Sequence, residues 1–598
     1  MIIDFLASLS FYFLPYLTGR FFSKNPIQSW MLGALSWLAL FFLVSSLINL
    51  VGHGDFSSII RILAVTIALL SGINLARTSF KDIKRVQIEN LTIPFFLILF
   101  GSLVYFLIWK RNTPYPLQLN WDIYEHITLA NLISKGNLSF FTSQISDTFT
   151  FNSYSPIFGI LLSIPKIIFQ KSLIGIYFWL EYWHYLLTIL ASFLIARKIF
   201  QEKWMGLLAA AVSALVFESI MVYSNLFFIP QTLVALLSVF VYLNMEKHKP
   251  IWLLIAFTTI FLMHYVIGIL SIVVLIFVYL SKRFGLSEKV LNIGILSSTL
   301  LLLSSIGISF LGKWHLLPIE EAQHFNFSFM EKLGFFTNWY GLMFFIFSAV
   351  GYLVITRSKK TDLKLVLIIA LLIMALSLAP FSYFLKFHVL GRYFINLILV
   401  VGMGAFLINL PKIIRTAGIL FIGLVLLITF YKNQLIYKEP LHFKNYETQI
   451  SFDEIAAGEW LASYTEGERT FLITDPSLSY ILEAISGVNT QGGAYMSLES
   501  RKILSDLRNT NDSALLKIEL LRIRDQLDQD REEVLFVLGG RYFEWQRLSE
   551  SEKQSSFYNI WSPKLTRDQD KSYIEFIKNS PEFEAIYEND QLVIFRLI

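Results

Sequence analysis

Through residue 438 the sequence is a succession of long apolar runs separated by short connections. This feature leaves few folds open. Lipid hydrocarbon offers no hydrogen-bonding partners, so a chain that crosses it must satisfy its backbone within helices or a closed barrel. A crossing helix needs roughly 20 apolar residues. Runs near 3–19, 29–51, 60–76, 91–109, 173–196, 204–222, 226–243, 251–263, 266–280, 290–311, 340–356, 364–385, 393–410 and 415–431 read as about fourteen (12–14) spans. The stretch 251–280 is too long for one span and is broken only at His264-Tyr265, which predicts a tight helix pair bent there. Only 16% of the residues are charged, against about 25% in soluble domains. With no cysteine, disulfide scaffolds, thiolate metal sites and cysteine nucleophiles are excluded.

Charge divides the chain in two. Residues 1–438 carry 16 acidic and 32 basic residues, whereas 439–598 carry 28 acidic and 17 basic. The expected fold is therefore a polytopic α-helical membrane protein, residues 1–438, with a C-terminal soluble α/β domain, residues 439–598. In the acidic part, helices are expected at 452–463, 477–486, 498–508, 513–528 and 571–579, and strands at 470–474, 534–538, 584–588 and 592–597. Asn589-Asp590 suits a hairpin turn. No Gly-x-Gly-x-x-Gly or Walker A run is present.

The basic residues cluster on alternate loops: Arg20 and Lys24; Arg77 to Arg85; Arg197, Lys198 and Lys203; Lys247 and Lys249; Lys282, Arg283 and Lys289; Arg357 to Lys364; Lys412 and Arg415. Such loops face the cytoplasm. The reading that follows is a multi-pass protein of the plasma (inner) membrane. Both termini, a large 110–172 loop and the acidic domain then face outward. Asp4 and the lack of a basic leader make the first run a retained span. Nucleic acid is not an expected partner, because the positive charge is scattered rather than gathered into a stripe.

The outer loop contains Trp121-Asp122-Ile123-Tyr124-Glu125-His126, continuing to Ile133 and ending at Lys135-Gly136-Asn137. The apolar spacing predicts an amphipathic helix from Asp122, lying in the membrane interface with its polar face toward a cavity. Positions 122, 125 and 126 share one face. Two readings stand together. Asp122 caps the helix while Glu125 and His126 are solvated, or the three form a catalytic group with a divalent cation, Mg or Mn, on Asp122 and His126. Glu181 and Glu218 lie within or beside spans, where acids mark substrate or metal sites by default. Glu320, Glu321 and His324 read as an outer loop that orders over substrate or as solvated surface.

These residues resemble the GT-C superfamily of membrane glycosyltransferases. The family's first outer loop carries an acidic motif and a helix similar to His-x3-Ala-x2-Ile/Leu-x2-Gly. Here the run is Trp121-Asp122, Glu125-His126, Ala130, Ile133 and Gly136. His264-Tyr265 resembles the family's helix-breaking turn, and Arg392-Tyr393 its arginine near the donor phosphate. The segments from Glu454 to Leu461, Phe471 to Pro476 and Phe583 to Arg596 look like the outward domain of many members. The oligosaccharyltransferase signature Trp-Trp-Asp-Tyr-Gly is absent, which argues against a catalytic subunit of that branch, and four spans precede the loop where the family usually has one.

The resemblance implies a GT-C-like bundle and a sugar donor on polyprenyl phosphate or diphosphate. It also implies a hexosyl- or pentosyltransferase acting, with inversion, on a glycan, lipid or protein acceptor. Asp122 would be the general base, oriented by Glu125 and His126. Arg392, Lys386 and His264 would bind the donor phosphate, with His388 on the same turn as Lys386. A transporter or lipid-linked-sugar flippase and a non-catalytic membrane scaffold are the alternatives.

Overall fold

A computed structural model describes residues 1–51, 54–82, 89–112, 121–136, 156–217, 227–245, 250–311, 329–379, 384–438, 450–465, 470–474, 476–490, 512–527, 533–539 and 571–598. The membrane part contains α1 (Ile2–Gly19), α2 (Pro26–Val51), α3 (Phe56–Asp82), α4 (Glu89–Asn112), α5 (Trp121–Ser134), α6 (Pro156–Phe169), α7 (Leu173–Phe200), α8 (Lys203–Leu215) and α9 (Pro230–Asn244). It continues through α10 (Pro250–Met263), α11 (Tyr265–Phe284), α12 (Glu288–Leu311), α13 (Phe329–Tyr340), α14 (Leu342–Arg357), α15 (Thr361–Leu378), a 3-10 turn (Phe384–Phe387), α16 (His388–Asn409) and α17 (Lys412–Lys438).

Within the described residues each apolar run overlaps a helix, and the chain is a multi-pass α-helical membrane protein. Fewer than fourteen helices among the described residues have the length and apolarity to cross. Among the described residues nine helices are long and apolar enough to cross alone: α1, α2, α4, α7, α11, α12, α15, α16 and α17. The bent pair α13–α14 makes a tenth if read as one span. The correction has local causes. The run 204–222 leaves its helix at Val216, which is extended, and α10 stops at His264, also extended. One apolar helix, α6, lies inside the stretch read as an outer loop.

Backbones approach closely where glycine allows it, a packing mode suited to membranes, where hydrophobicity does not drive helices together. A Cβ on Gly33 would sit 1.7 Å from the Pro15 carbonyl oxygen, across the α1–α2 contact. One on Gly402 would sit 1.8 Å from that of Phe347, across α14–α16. Helix ends inside the bundle need partners for their last carbonyls. Fully buried Asn433 of α17 supplies two, its amide donating to the Phe217 and Trp339 carbonyls at 2.8 Å each.

The acidic part forms α18 (Phe452–Tyr464), α19 (Pro476–Ser486), α20 (Ser513–Leu527) and α21 (Lys571–Lys578) around five strands. These are β1 (Thr470–Ile473), β2 (Asn489–Thr490), β3 (Glu533–Gly539), β4 (Phe583–Glu588) and β5 (Leu592–Leu597). The order is β2-β1-β3-β5-β4, parallel for β2-β1-β3 and antiparallel beyond. Alternate strand residues face opposite layers. Phe471, Phe536 and Phe595 pack with α20 and α21, whereas Leu472, Leu535 and Ile594 pack with α18 and α19. The expected helix 498–508 lies outside the described residues. Asn589 builds the expected hairpin turn, its side-chain oxygen accepting from the Gln591 and Leu592 amides.

The two parts meet where α19 packs against α5. Ile481 and Ala484 of α19 belong to the apolar core of the membrane part. Behind them, Glu483 is buried, accepts from the Thr490 hydroxyl at 2.9 Å, and Thr490 accepts from Ser479 at 2.7 Å. Burial pushes the Glu483 carboxyl up to about 8, outweighing the Thr490 hydrogen bond. The folded chain holds a proton that the unfolded chain releases above 4.5. Stability from this group is therefore complete below 4.5 and is lost as pH rises through about 8. Thermal unfolding at acid and alkaline ends of that window should show the wild type losing stability on the alkaline side and Glu483→Gln losing less. Equal losses in both would contradict the assignment.

Candidate functional site

Helix α5 begins one residue before Asp122 and stops at Ser134, where Gly136 adopts φ +90°. The Asp122 side chain lies outside the described residues. The helix places position 122 one turn from Glu125 and His126. Those two side chains are each 3% exposed, as are Thr128 and Asn131. This overturns the expectation of an interfacial helix with a wet polar face: from Ile123 to Ser134 only Leu132 is not buried. The cause is tertiary. α6 covers one side of α5, and α19 of the sheet domain covers another. The solvated reading of Glu125 and His126 therefore does not hold.

His126 packs edge-on against Phe158 of α6, with ring centroids 5.0 Å apart. Burial, and secondarily the charge of His264, pushes its imidazole down to about 3. So weak a base is neutral at physiological pH and suits hydrogen bonding or metal ligation more than proton abstraction. His264 terminates the α10 run and caps α11, its Nδ1 accepting from the Ile267 amide at 3.2 Å. Lys386, half-buried on the 3-10 turn before α16, lies within electrostatic range of His264. The structure thus brings Glu125, His126, His264 and Lys386 into one neighbourhood from three separate regions of sequence.

Arg392 sits one turn deeper on α16, 3% exposed, and its charge reaches His184 and Tyr185 of α7. Beside it Tyr393 donates to the Thr188 hydroxyl at 3.3 Å. Glu181 lies one turn from His184 on α7, is 8% exposed, and makes no hydrogen bond or ion pair among the described residues. His184 is 1% exposed, and its Nδ1 has no partner among them. Two rings separate this second group from the first: Phe158 stands 5.3 Å from Phe228, and Phe228 stands 5.5 Å from His184. His388 packs apart, stacked on Trp339 at 5.0 Å and within 3.1 Å of the Tyr340 hydroxyl. Glu218, Glu320, Glu321 and His324 lie outside the described residues. No group of three or more His, Asp or Glu side chains forms a metal cluster among the described residues.

Sequence reasoning missed His184 and Asn131. Asn131 is the pin of the site. Its Nδ2 donates to the Ala484 carbonyl of α19 at 2.6 Å, and its Oδ1 accepts from Lys166 of α6. The only signal was one amide within an otherwise apolar helical stretch.

No family model matches the chain, and no curated protein matches it. Among solved structures it is similar to the archaeal oligosaccharyltransferase AglB from Archaeoglobus fulgidus in complex with an inhibitory peptide and a dolichol-phosphate. The TM-score is 0.49 at 11% identity, over 80% of this chain and 72% of that one. The Archaeoglobus fulgidus oligosaccharyltransferase tethered with an acceptor peptide gives 0.48 at 11% identity, over 78% and 70%. The apo form gives 0.49 at 12% identity, over 75% and 70%.

Replacing Asn131 with Leu keeps the side-chain size but leaves the Ala484 carbonyl and the Lys166 ammonium without this partner. An unsatisfied buried polar group costs about 1–3 kcal/mol. Hydrogen exchange should rise in α5 and α19 while β1 and β3 stay protected. Unchanged protection of α19 would show that Asn131 does not pin the two parts together.

Proposed function

We propose that the chain is a membrane glycosyltransferase that moves a hexosyl or pentosyl group from a polyprenyl-phosphate or -diphosphate donor. Its acceptor would be an envelope glycan, lipid or protein. The observation that carries this reading is the burial of Glu125 and His126 beside His264 and Lys386, under the docked sheet domain. An apolar bundle hides ionisable groups at a cost, and in a membrane protein such groups mark substrate sites.

The reaction needs an oxygen of the acceptor to attack the anomeric carbon while the bond from that carbon to the phosphate oxygen breaks. Asp122 is assigned to take the acceptor proton, and the electron pair leaves with the lipid phosphate. One displacement inverts the anomeric configuration. Lys386 and Arg392 are assigned to the negative charge on the leaving phosphate, Arg392 by bidentate contact. Glu125 and neutral His126 orient Asp122. Asp122 and His126 would also hold a divalent cation, Mg or Mn, which would neutralise phosphate charge when bound.

The site faces outward in this reading, as do the N-terminus and the sheet domain, and the protein resides in the plasma membrane. The charge pattern supports that orientation. Three of the basic connections, after α7, after α11 and before α15, also border a single cavity. A transporter or flippase is the second reading, favoured by one observation: Glu181 and His184 lie within a crossing helix, and among the described residues neither the carboxylate nor the Nδ1 has a partner.

Sugar transfer measured in proteoliposomes from a mixture of polyprenyl-phosphate sugars tests the proposal. Asp122→Asn should lower transfer about 10²–10⁴-fold, the usual range for a general base, with unchanged thermal stability. Equal transfer by both proteins would remove Asp122 as base. Lipid-sugar movement across the bilayer without transfer would select the flippase.

A further inference from the structure

At the opposite kind of surface, among the basic connections, a cavity of about 490 Å³ lies where three crossing helices end. Gln201 follows the last residue of α7, Ser281 and Lys282 are in the last turn of α11, and Lys360, Thr361 and Asp362 open α15. A cavity at three such ends lies at the depth where helices leave hydrocarbon and meet lipid head groups. The segments 197–203, 282–289 and 357–364 carry ten Lys and Arg against three carboxylates.

The polar groups divide into those already engaged and those still available. Lys282 pairs with Asp362 at 2.9 Å, so the one carboxylate lining the cavity is neutralised. Lys282 and Lys198 each stand 5.4 Å from the Tyr242 ring centroid, so a second ammonium group lies on the same ring as the cavity-lining Lys282. Lys198 also donates to the Leu243 carbonyl at 3.1 Å. Lys364 is committed to Glu288 at 3.0 Å and Asn292 at 2.7 Å. By contrast, Lys360 is exposed and makes no ion pair among the described residues. Ser281 is 3% exposed, borders the cavity, and its hydroxyl has no partner among the described residues. The first turn of α15 adds backbone N–H groups at the positive end of an 18-residue helix, with no side-chain cap.

We propose that this cavity binds the phosphate group of an anionic membrane lipid. The phosphate oxygens accept from the Lys360 ammonium, the Ser281 hydroxyl and the α15 N-terminus. The remaining volume takes the glycerol backbone, and the acyl chains lie along the apolar exteriors of the flanking helices. Basic pockets between crossing helices on the cytoplasmic side recognise such head groups. The site is independent of any sugar-transfer chemistry. The same phosphate chemistry would also accept free phosphate, and the test separates the two sources.

The full chain, delipidated in detergent, is offered phosphatidylglycerol or phosphatidylcholine, and retained lipid is counted by native mass spectrometry. Wild type should retain phosphatidylglycerol over phosphatidylcholine. Lys360→Gln combined with Ser281→Ala should weaken that preference about fivefold or more, whereas Lys412→Gln, a basic change outside the cavity, should keep it. Excess inorganic phosphate should not displace the lipid. Equal retention of the two lipids would overturn the proposal, as would an equal loss in Lys412→Gln. Displacement by inorganic phosphate would overturn the lipid as the source and leave a free-phosphate pocket.

Discussion

Keeping ionisable side chains inside an apolar bundle is the constraint on which this structure turns. A buried charge without compensation is expensive, and the usual escape is neutralisation or pairing. Helix α5 carries Glu125 and His126 into such a place. His126 is neutral there, and α6 and α19 wall the helix off from water. Asn131 fixes both walls at once through the Ala484 carbonyl and Lys166. The sheet domain is thus part of the wall of the candidate site, and its own buried carboxyl, Glu483, lies in the docking helix.

The helices were legible because hydrocarbon permits little else. Apolar length located α1, α2, α7 and α16, and the polar pair His264-Tyr265 marked the break between α10 and α11. Turn chemistry located the ends of α5 and the Asn589 hairpin. Apolar content alone does not give helix length: α8, α9 and α10 are apolar but only 13 to 15 residues long, and α6 is an apolar helix inside the stretch that reads as a loop.

The candidate site was legible as residue types and not as surroundings. Spacing puts positions 122, 125 and 126 on one face, but burial of the helix is tertiary: Phe158 of α6 packs on His126, and Ala484 of α19, some 350 residues later in the chain, meets Asn131. The nearness of His264 and Lys386 to His126 is likewise tertiary. Arg392 belongs with His184 and Tyr185, a grouping no local pattern announces.

Two chemically distinct regions emerge. One gathers Glu125, His126, His264 and Lys386 around helix α5, and the other gathers lysines at the ends of α7, α11 and α15. With the basic connections cytoplasmic, the two regions face opposite sides of the membrane in the proposed orientation. Because the chain contains no cysteine, single Lys135→Cys and Lys360→Cys substitutions, both at exposed positions, report each region separately. On intact cells a membrane-impermeant maleimide should label Lys135→Cys and should reach Lys360→Cys only after lysis. Labelling of both from outside, or of Lys360→Cys alone, would contradict the arrangement.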